Sequence, residues 1–141
     1  MEEQALALQI GHRNSIDIDL FGKCELDGFL FSEILSGFGE TTIIKKSKRI
    51  LIYSLSGIKV DIVDYQYKLL CAPLIEEGIR LASEKDIAAM KLNAITGRGS
   101  KKDFIDLYFL LRKFTINEMI GFYNEKYFDG SEFLVKKSLA L

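Results

Sequence analysis

The hydrophobic pattern of this chain changes period part-way along. Over 15–21 and 41–65 apolar residues mostly alternate with polar ones, and from residue 83 they recur at helical spacing. Strands send successive side chains to opposite faces, whereas helices repeat every 3.6 residues. A chain that reads as strands first and helices afterwards is confined to a mixed architecture, with helices packed on a small sheet.

The strand half is the more explicit. "TTIIKKSKRILIYSLSGIKVDIVDY" (41–65) reads as three strands, and Gly57 marks an antiparallel hairpin between "RILIYSL" and "KVDIVDY". "SIDIDLF" (15–21) is a further strand. "ELDGFLFSEILSGF" (25–38) places Leu26, Phe29, Leu30 and Ile34 near helical spacing, which predicts a helix despite Gly28. "EEQALALQIGH" (2–12) reads as a short helix that Gly11 ends. A loop surrounds Pro73, and "IRLAS" (79–83) is one more short extended piece.

The helical half carries its own start signals. Ser83 with Asp86, Ser100 with Asp103, and Thr115 with Glu118 are each spaced as a capping box. Gly97 and Gly99 separate the first two helices, and a final partial helix follows Ser131. The expectation is one α/β (α+β) domain over 1–141, strand-rich over 15–65 and helical over 83–141.

Composition removes several function classes. The 141 residues are 48% hydrophobic, enough for one domain with a core. A net charge of -1 argues against strong nonspecific nucleic-acid binding. Cys24 and Cys71 stand alone and His12 is the single histidine, so neither a zinc site nor a disulfide scaffold is indicated. No apolar run reaches membrane-span length and no signal peptide is visible, which makes a cytoplasmic protein without membrane association the default.

The chemistry sits in the carboxylates. Asp17 and Asp19 are two apart in a strand and point the same way. Asp61 and Val63 share one face of "IKVDIVDY", while Val60, Ile62 and Asp64 share the other. If the two strands are neighbours, Asp61 completes a cluster of three carboxylates. Like charges at that range repel, and the hard oxygen set suits Mg²⁺ or Mn²⁺. Two such ions activate a hydroxyl and stabilise a leaving phosphate. Alternation alone fits equally well with aspartates lining the solvent face of a half-buried strand.

Two later positions add weight. On the helical wheel Lys91 falls between Ile87 and Ile95, and Asp106 between Phe109 and Leu110. An inward lysine either snorkels past the core or reaches a phosphate. Asp103 and Asp106 also suit a helix cap and an ion-pair partner, respectively. The joining segment "GRGSKK" (97–102) offers helix-start amides and lysines to an anion, or is simply a solvated basic turn. Its glycine spacing is not that of a Walker A loop.

Taken together, "ALALQIGHRNSIDIDLF" (5–21), "VDIVDY" (60–65), "GIRLASEKDIAAMKLNAITGRGSKKDFIDLYFLL" (78–111) and "EKY" (125–127) resemble the AbiEii/AbiGii toxin family. The resemblance implies a minimal nucleotidyltransferase fold, a small mixed sheet flanked by helices. It implies transfer of a nucleotide from a nucleoside triphosphate (NTP) with Mg²⁺, to an acceptor such as transfer RNA (tRNA), by the toxin half of a toxin–antitoxin pair. Asp17 and Asp19 match the family's metal-binding pair, and Asp61 resembles its third carboxylate, the base toward the acceptor hydroxyl. Lys91 matches the lysine expected at the triphosphate. Asp106 matches the aspartate of the last motif, in a block with Lys102 and Asp103.

One departure bears on activity. The family usually carries two glycines and a serine or threonine before "ALAL", a turn that cradles the phosphates. Glu2, Glu3 and Gln4 stand there in this chain, and glutamates repel a triphosphate. The reading is therefore of an N-terminally truncated or fragmentary member. It is either a weak Mg²⁺-dependent transferase or an impaired remnant that binds a partner, such as an antitoxin or a second copy through an exposed sheet edge. A metal-dependent phosphohydrolase is disfavoured because His12 is alone.

Overall fold

The computed structural model describes residues 17–140. The helix expected over 2–12, residues 15–16 of the first expected strand, and the Glu2–Gln4 segment lie outside the described residues. The described chain divides into two compact units, one ending at Gln66 and one beginning at Tyr67.

The first unit is a four-stranded sheet with a helix. Strands β1 (Ile18–Gly22), β2 (Thr41–Lys46), β3 (Ile50–Leu55) and β4 (Ile58–Asp64) are ordered β1-β4-β3-β2. β1 pairs with β4 in parallel, and the remaining pairs are antiparallel. The expected hairpin is β3–β4, with Ser56 and Gly57 at φ 50° and 85°. Two successive left-handed residues match the twist of the flanking strands, which is why glycine is useful there.

Helix α1 (Gly28–Ser36) starts where Asp27 accepts from Phe29 N and Leu30 N, both at 3.1 Å. Gly28 is therefore the first helical residue, where its lack of a side chain does not interrupt the helix. Leu51, Tyr53, Val60 and Ile62 form a buried core with Ile18, Leu26, Phe31, Leu35 and Leu55 packed against it. Tyr53 Oη donates to Gly28 O at 2.9 Å and ties the helix start to the sheet. One sheet face is thus given to α1, and the alternate residues Asp19, Asp61 and Ile52 occupy the other.

The second unit opens with a short antiparallel ribbon, β5 (Leu74–Glu76) and β6 (Ile79–Leu81). β5 falls in the region expected as loop around Pro73. Helices α2 (Glu84–Gly97), α3 (Lys101–Leu110), α4 (Ile116–Lys126) and α5 (Glu132–Leu139) follow, with α2 packed against the other three. Ser83, Ser100, Thr115 and Ser131 are their caps. The boxes at Ser100/Asp103 and Thr115/Glu118 are reciprocal. Asp86 departs from the box pattern: its carboxylate accepts from Ser83 Oγ, Leu70 N and Cys71 N. Among the described residues no helix is long and apolar enough to cross a membrane.

Candidate active site

The parallel register of β1 and β4 sets Asp19 directly beside Asp61. Asp17 lies one residue before β1 begins, just ahead of the position opposite Val60. The sequence pattern alone did not establish that these strands are neighbours; the pairing does. Val60 and Ile62 are buried against α1, which leaves Asp61 on the opposite face with Asp19.

Asp61 has an uneven environment. Its Oδ2 lies 3.2 Å from Lys59 Nζ, with side chains 13% and 44% exposed respectively. Among the described residues its Oδ1 is a buried acceptor with no hydrogen-bond partner. A buried acceptor left unmatched costs about 1–3 kcal/mol, and an ordered water, a bound ion or a catalytic role accounts for such atoms. Hard carboxylate oxygens and an orphaned acceptor fit Mg²⁺ or Mn²⁺ in chemical type. Among the described residues, however, no three carboxylate, histidine or cysteine groups converge closely enough to hold a metal. One oxygen of Asp61 is paired with the Lys59 ammonium. At the C-terminal end of the same strand, Asp64 accepts from Cys24 N, Arg49 Nη1 and Gln66 Nε2, and so braces the turn after β1.

The second unit holds a charged network in its interior. Lys91, Asp103 and Asp106 are fully buried, as the wheel positions of Lys91 and Asp106 implied. Lys91 Nζ lies 2.8 Å from Asp106 Oδ2 and 3.4 Å from Asp103 Oδ1. Asp103 also accepts a fork from Arg98, Nε and Nη2 each at 3.0 Å, together with Ser100 N and Oγ. The basic turn before α3 thus already holds an anion, and that anion is the chain's own Asp103. Lys102, the next residue of the block, is exposed.

A second buried pair has no counterpart in the sequence reading. Lys126 Nζ lies 2.7 Å from Asp86 Oδ1 and donates to Lys68 O at 2.8 Å. Both side chains are fully buried. The resemblance included "EKY" without giving Lys126 a role, and Asp86 read as a cap. The signal available was a lysine on the apolar side of α4, one turn from the buried Tyr123.

Both aspartate carboxyls are held below their ordinary range. Burial by itself would raise the Asp86 and Asp103 carboxyls. Hydrogen bonds outweigh it, from Lys126, Ser83 and Leu70 N at Asp86 and from Arg98 and Ser100 at Asp103, aided by the lysine and arginine charges. The net displacement of both is below the ordinary 3.8. A depressed folded-state pKa gives stability that is fully present above the unfolded value and is lost as pH falls through the folded one. Denaturant melts should therefore show the protein losing stability as pH drops from about 4 toward 2. Asp86→Asn and Asp103→Asn should each flatten that slope. An unchanged slope in both variants would remove these carboxylates from the acid response.

The profile of the nucleotidyl transferase AbiEii toxin family, a type IV toxin–antitoxin system, matches residues 5–129. The chain belongs to that family. An uncharacterized protein of Aquifex aeolicus (strain VF5) is 40% identical over 141 residues, spanning 96% of this chain and 68% of the relative. A crystal structure of a candidate nucleotidyltransferase from H. pylori shares the fold at a TM-score of 0.54 with 20% identity. It covers 84% of this chain, which spans 63% of that protein. At this identity the likeness concerns the fold, and it agrees with a mixed α/β arrangement of nucleotidyltransferase type.

Proposed function

We propose that this AbiEii-family chain is a Mg²⁺-dependent nucleotidyltransferase toxin that joins a nucleotide from an NTP to an acceptor such as tRNA. The observation that carries the reading is Asp19 beside Asp61 on the sheet face opposite α1, with Asp61 Oδ1 buried and unmatched among the described residues. Asp17, Asp19 and Asp61 would hold the ion. The chemistry such an ion supplies when bound is activation of an attacking hydroxyl and stabilisation of a departing phosphate.

The chain's own groups do the rest. Asp61 Oδ1 takes the proton of the acceptor hydroxyl as it attacks the α-phosphorus, and pyrophosphate leaves. Lys91, Asp106 and Asp103 fix the start of α3, where Arg98 and Ser100 are also held. Lys102, exposed at that start, is offered to phosphate oxygens. The chain acts in the cytoplasm, and a cognate antitoxin protein is the partner that family membership implies.

The second reading, an impaired remnant that serves as a protein-binding module, draws on two observations. No three metal-ligating groups converge among the described residues, and Glu2, Glu3 and Gln4 replace the expected phosphate-cradling turn. Labelled-nucleotide transfer with each of the four triphosphates and bulk tRNA, with and without Mg²⁺, separates the two. Transfer that requires Mg²⁺ and prefers one triphosphate is the expected result. No incorporation under any condition by a chain that is folded in the same preparation selects the second reading.

A further inference from the structure

The outer face of α3 has no part in the mechanism above, yet its chemistry is specific. Lys101, Tyr108 and Arg112 line up on it at helical spacing, with Phe104 on one flank, opposite the buried Asp103 and Asp106. Tyr108 is 63% exposed and Phe104 is exposed beside it. Both rings are held in place. Tyr108 stands edge-on to Phe109 with centroids 5.2 Å apart, and the Phe104 ring covers Gly99 so closely that an added Cβ would stand 3.6 Å from it. The Arg112 guanidinium lies 6.0 Å from the Phe109 ring centroid. The charges sort by depth. The acids of this stretch, Asp103 and Asp106, are buried and paired with Lys91 and Arg98, while Lys101, Lys102 and Arg112 are exposed. Lys113 is exposed too, although Glu84 answers it at 2.8 Å. Every side-chain charge that residues 98–113 send to solvent is therefore positive.

We propose that this face of α3 is a platform for single-stranded RNA, with a base stacked on Tyr108 and the adjoining phosphates held by Lys101 and Arg112. The inference rests on the acceptor reading above for its choice of RNA. Exposed rings among positive charges supply the two things a single strand offers a partner for, a base face and a backbone charge. Duplex RNA presents no unstacked base and would meet the charges alone. A protein partner fits less well, because lysine is depleted from protein interfaces and no carboxylate of α3 stays at the surface. Lys101 and Arg112 mark the two ends of the helix, about 16 Å apart at 1.5 Å per residue, so the strand runs along α3. A contact to about two phosphates suits a chain whose net charge is -1, where a broad basic surface is excluded.

The test uses the full chain, with a short unstructured single-stranded RNA and a blunt RNA hairpin as fluorescent probes, followed by anisotropy across a salt series. The single strand should bind more tightly than the hairpin. Its log binding constant should fall against log salt with a slope of about -1.4, two phosphates at about -0.7 each. Tyr108→Ala should weaken binding about 10-fold at every salt concentration and leave the slope unchanged, the signature of a lost stack. Tyr108→Phe keeps the ring and should bind like the parent. Lys101→Gln/Arg112→Gln should flatten the slope instead. Tyr108→Leu, apolar but without a ring, serves as the second variant should alanine weaken the helix. Binding unchanged in both ring-less variants, or equal affinity for hairpin and single strand, overturns the platform. No RNA binding at low salt by the folded parent overturns it as well and leaves the face to a protein partner. RNA bound through Tyr108 but never labelled in the transfer assay upholds the platform and overturns the acceptor reading alone.

Discussion

An Asp61→Asn variant should lose nucleotide transfer by about two to three orders of magnitude, the scale on which one well-placed electrostatic group counts. It should melt at the parent's temperature or slightly above it. The two expectations have one cause. Asp61 carries a charge in a largely enclosed position, with one oxygen on Lys59 and the other unmatched among the described residues. The unmatched acceptor alone costs about 1–3 kcal/mol. Asparagine keeps the shape and an oxygen for Lys59 and removes the charge, while its Nδ2 takes the unmatched position as a neutral group. A residue whose removal relieves the fold while abolishing turnover is kept for chemistry. Labelled-nucleotide transfer and thermal melts on the same preparations check both parts. Parental transfer combined with a lower melting temperature would make Asp61 a structural carboxylate and end its role as base.

The sequence made some of this geometry legible and concealed the rest for physical reasons. Ser56–Gly57 between two alternating runs is a local signal, and the β3–β4 hairpin follows from it. The same kind of signal was available in Glu77–Gly78, both left-handed and joining β5 to β6, but Pro73 one residue before β5 made that stretch read as loop. Caps at Ser83, Ser100, Thr115 and Ser131 were readable because a cap is decided within four residues. The parallel neighbourhood of β1 and β4 was not readable. Period tells which face Asp19 and Asp61 occupy on their own strands; it does not tell which strands pair.

The same boundary runs through the buried charges. Helical periodicity placed Lys91 and Asp106 on inward faces, and both are fully buried. It could not name their partners, which are fixed by how α2 packs on α3. Lys126 was hidden because a lysine in a helix's last turn is ordinarily explained by the helix dipole. Asp86 was hidden because an acid three residues after a serine is ordinarily explained by capping. Their contact at 2.7 Å joins residues 40 apart in the chain and exists only once α2 and α4 have packed. Through Lys68 O, Leu70 N and Cys71 N the pair also anchors the segment that opens the second unit.

Lys91→Met should be strongly destabilising, and its effect should vanish in the double variant Lys91→Met/Asp106→Leu. Lys91 Nζ is 2.8 Å from Asp106 Oδ2, and both side chains are fully buried. Removing one member of a buried ion pair costs about 3–5 kcal/mol, because the charge left behind is out of water. Replacing both members with apolar groups of similar volume is often neutral or stabilising. Asp103 keeps the Arg98 fork and the Ser100 hydroxyl in either variant, so the α3 cap should survive. Against a total stability of about 5–15 kcal/mol, the single change should leave a large unfolded fraction at modest urea. Urea melts of the parent, the single and the double variant measure this directly. A mild single variant would mean that Lys91 matters little to Asp106. The double variant also separates two roles of Lys91, because it folds without the ammonium. Calorimetry with NTP should show binding close to the parent's if Lys91 only positions α3. A stable double variant that no longer binds NTP would assign Lys91 to the triphosphate itself, and would move Lys102 out of that role.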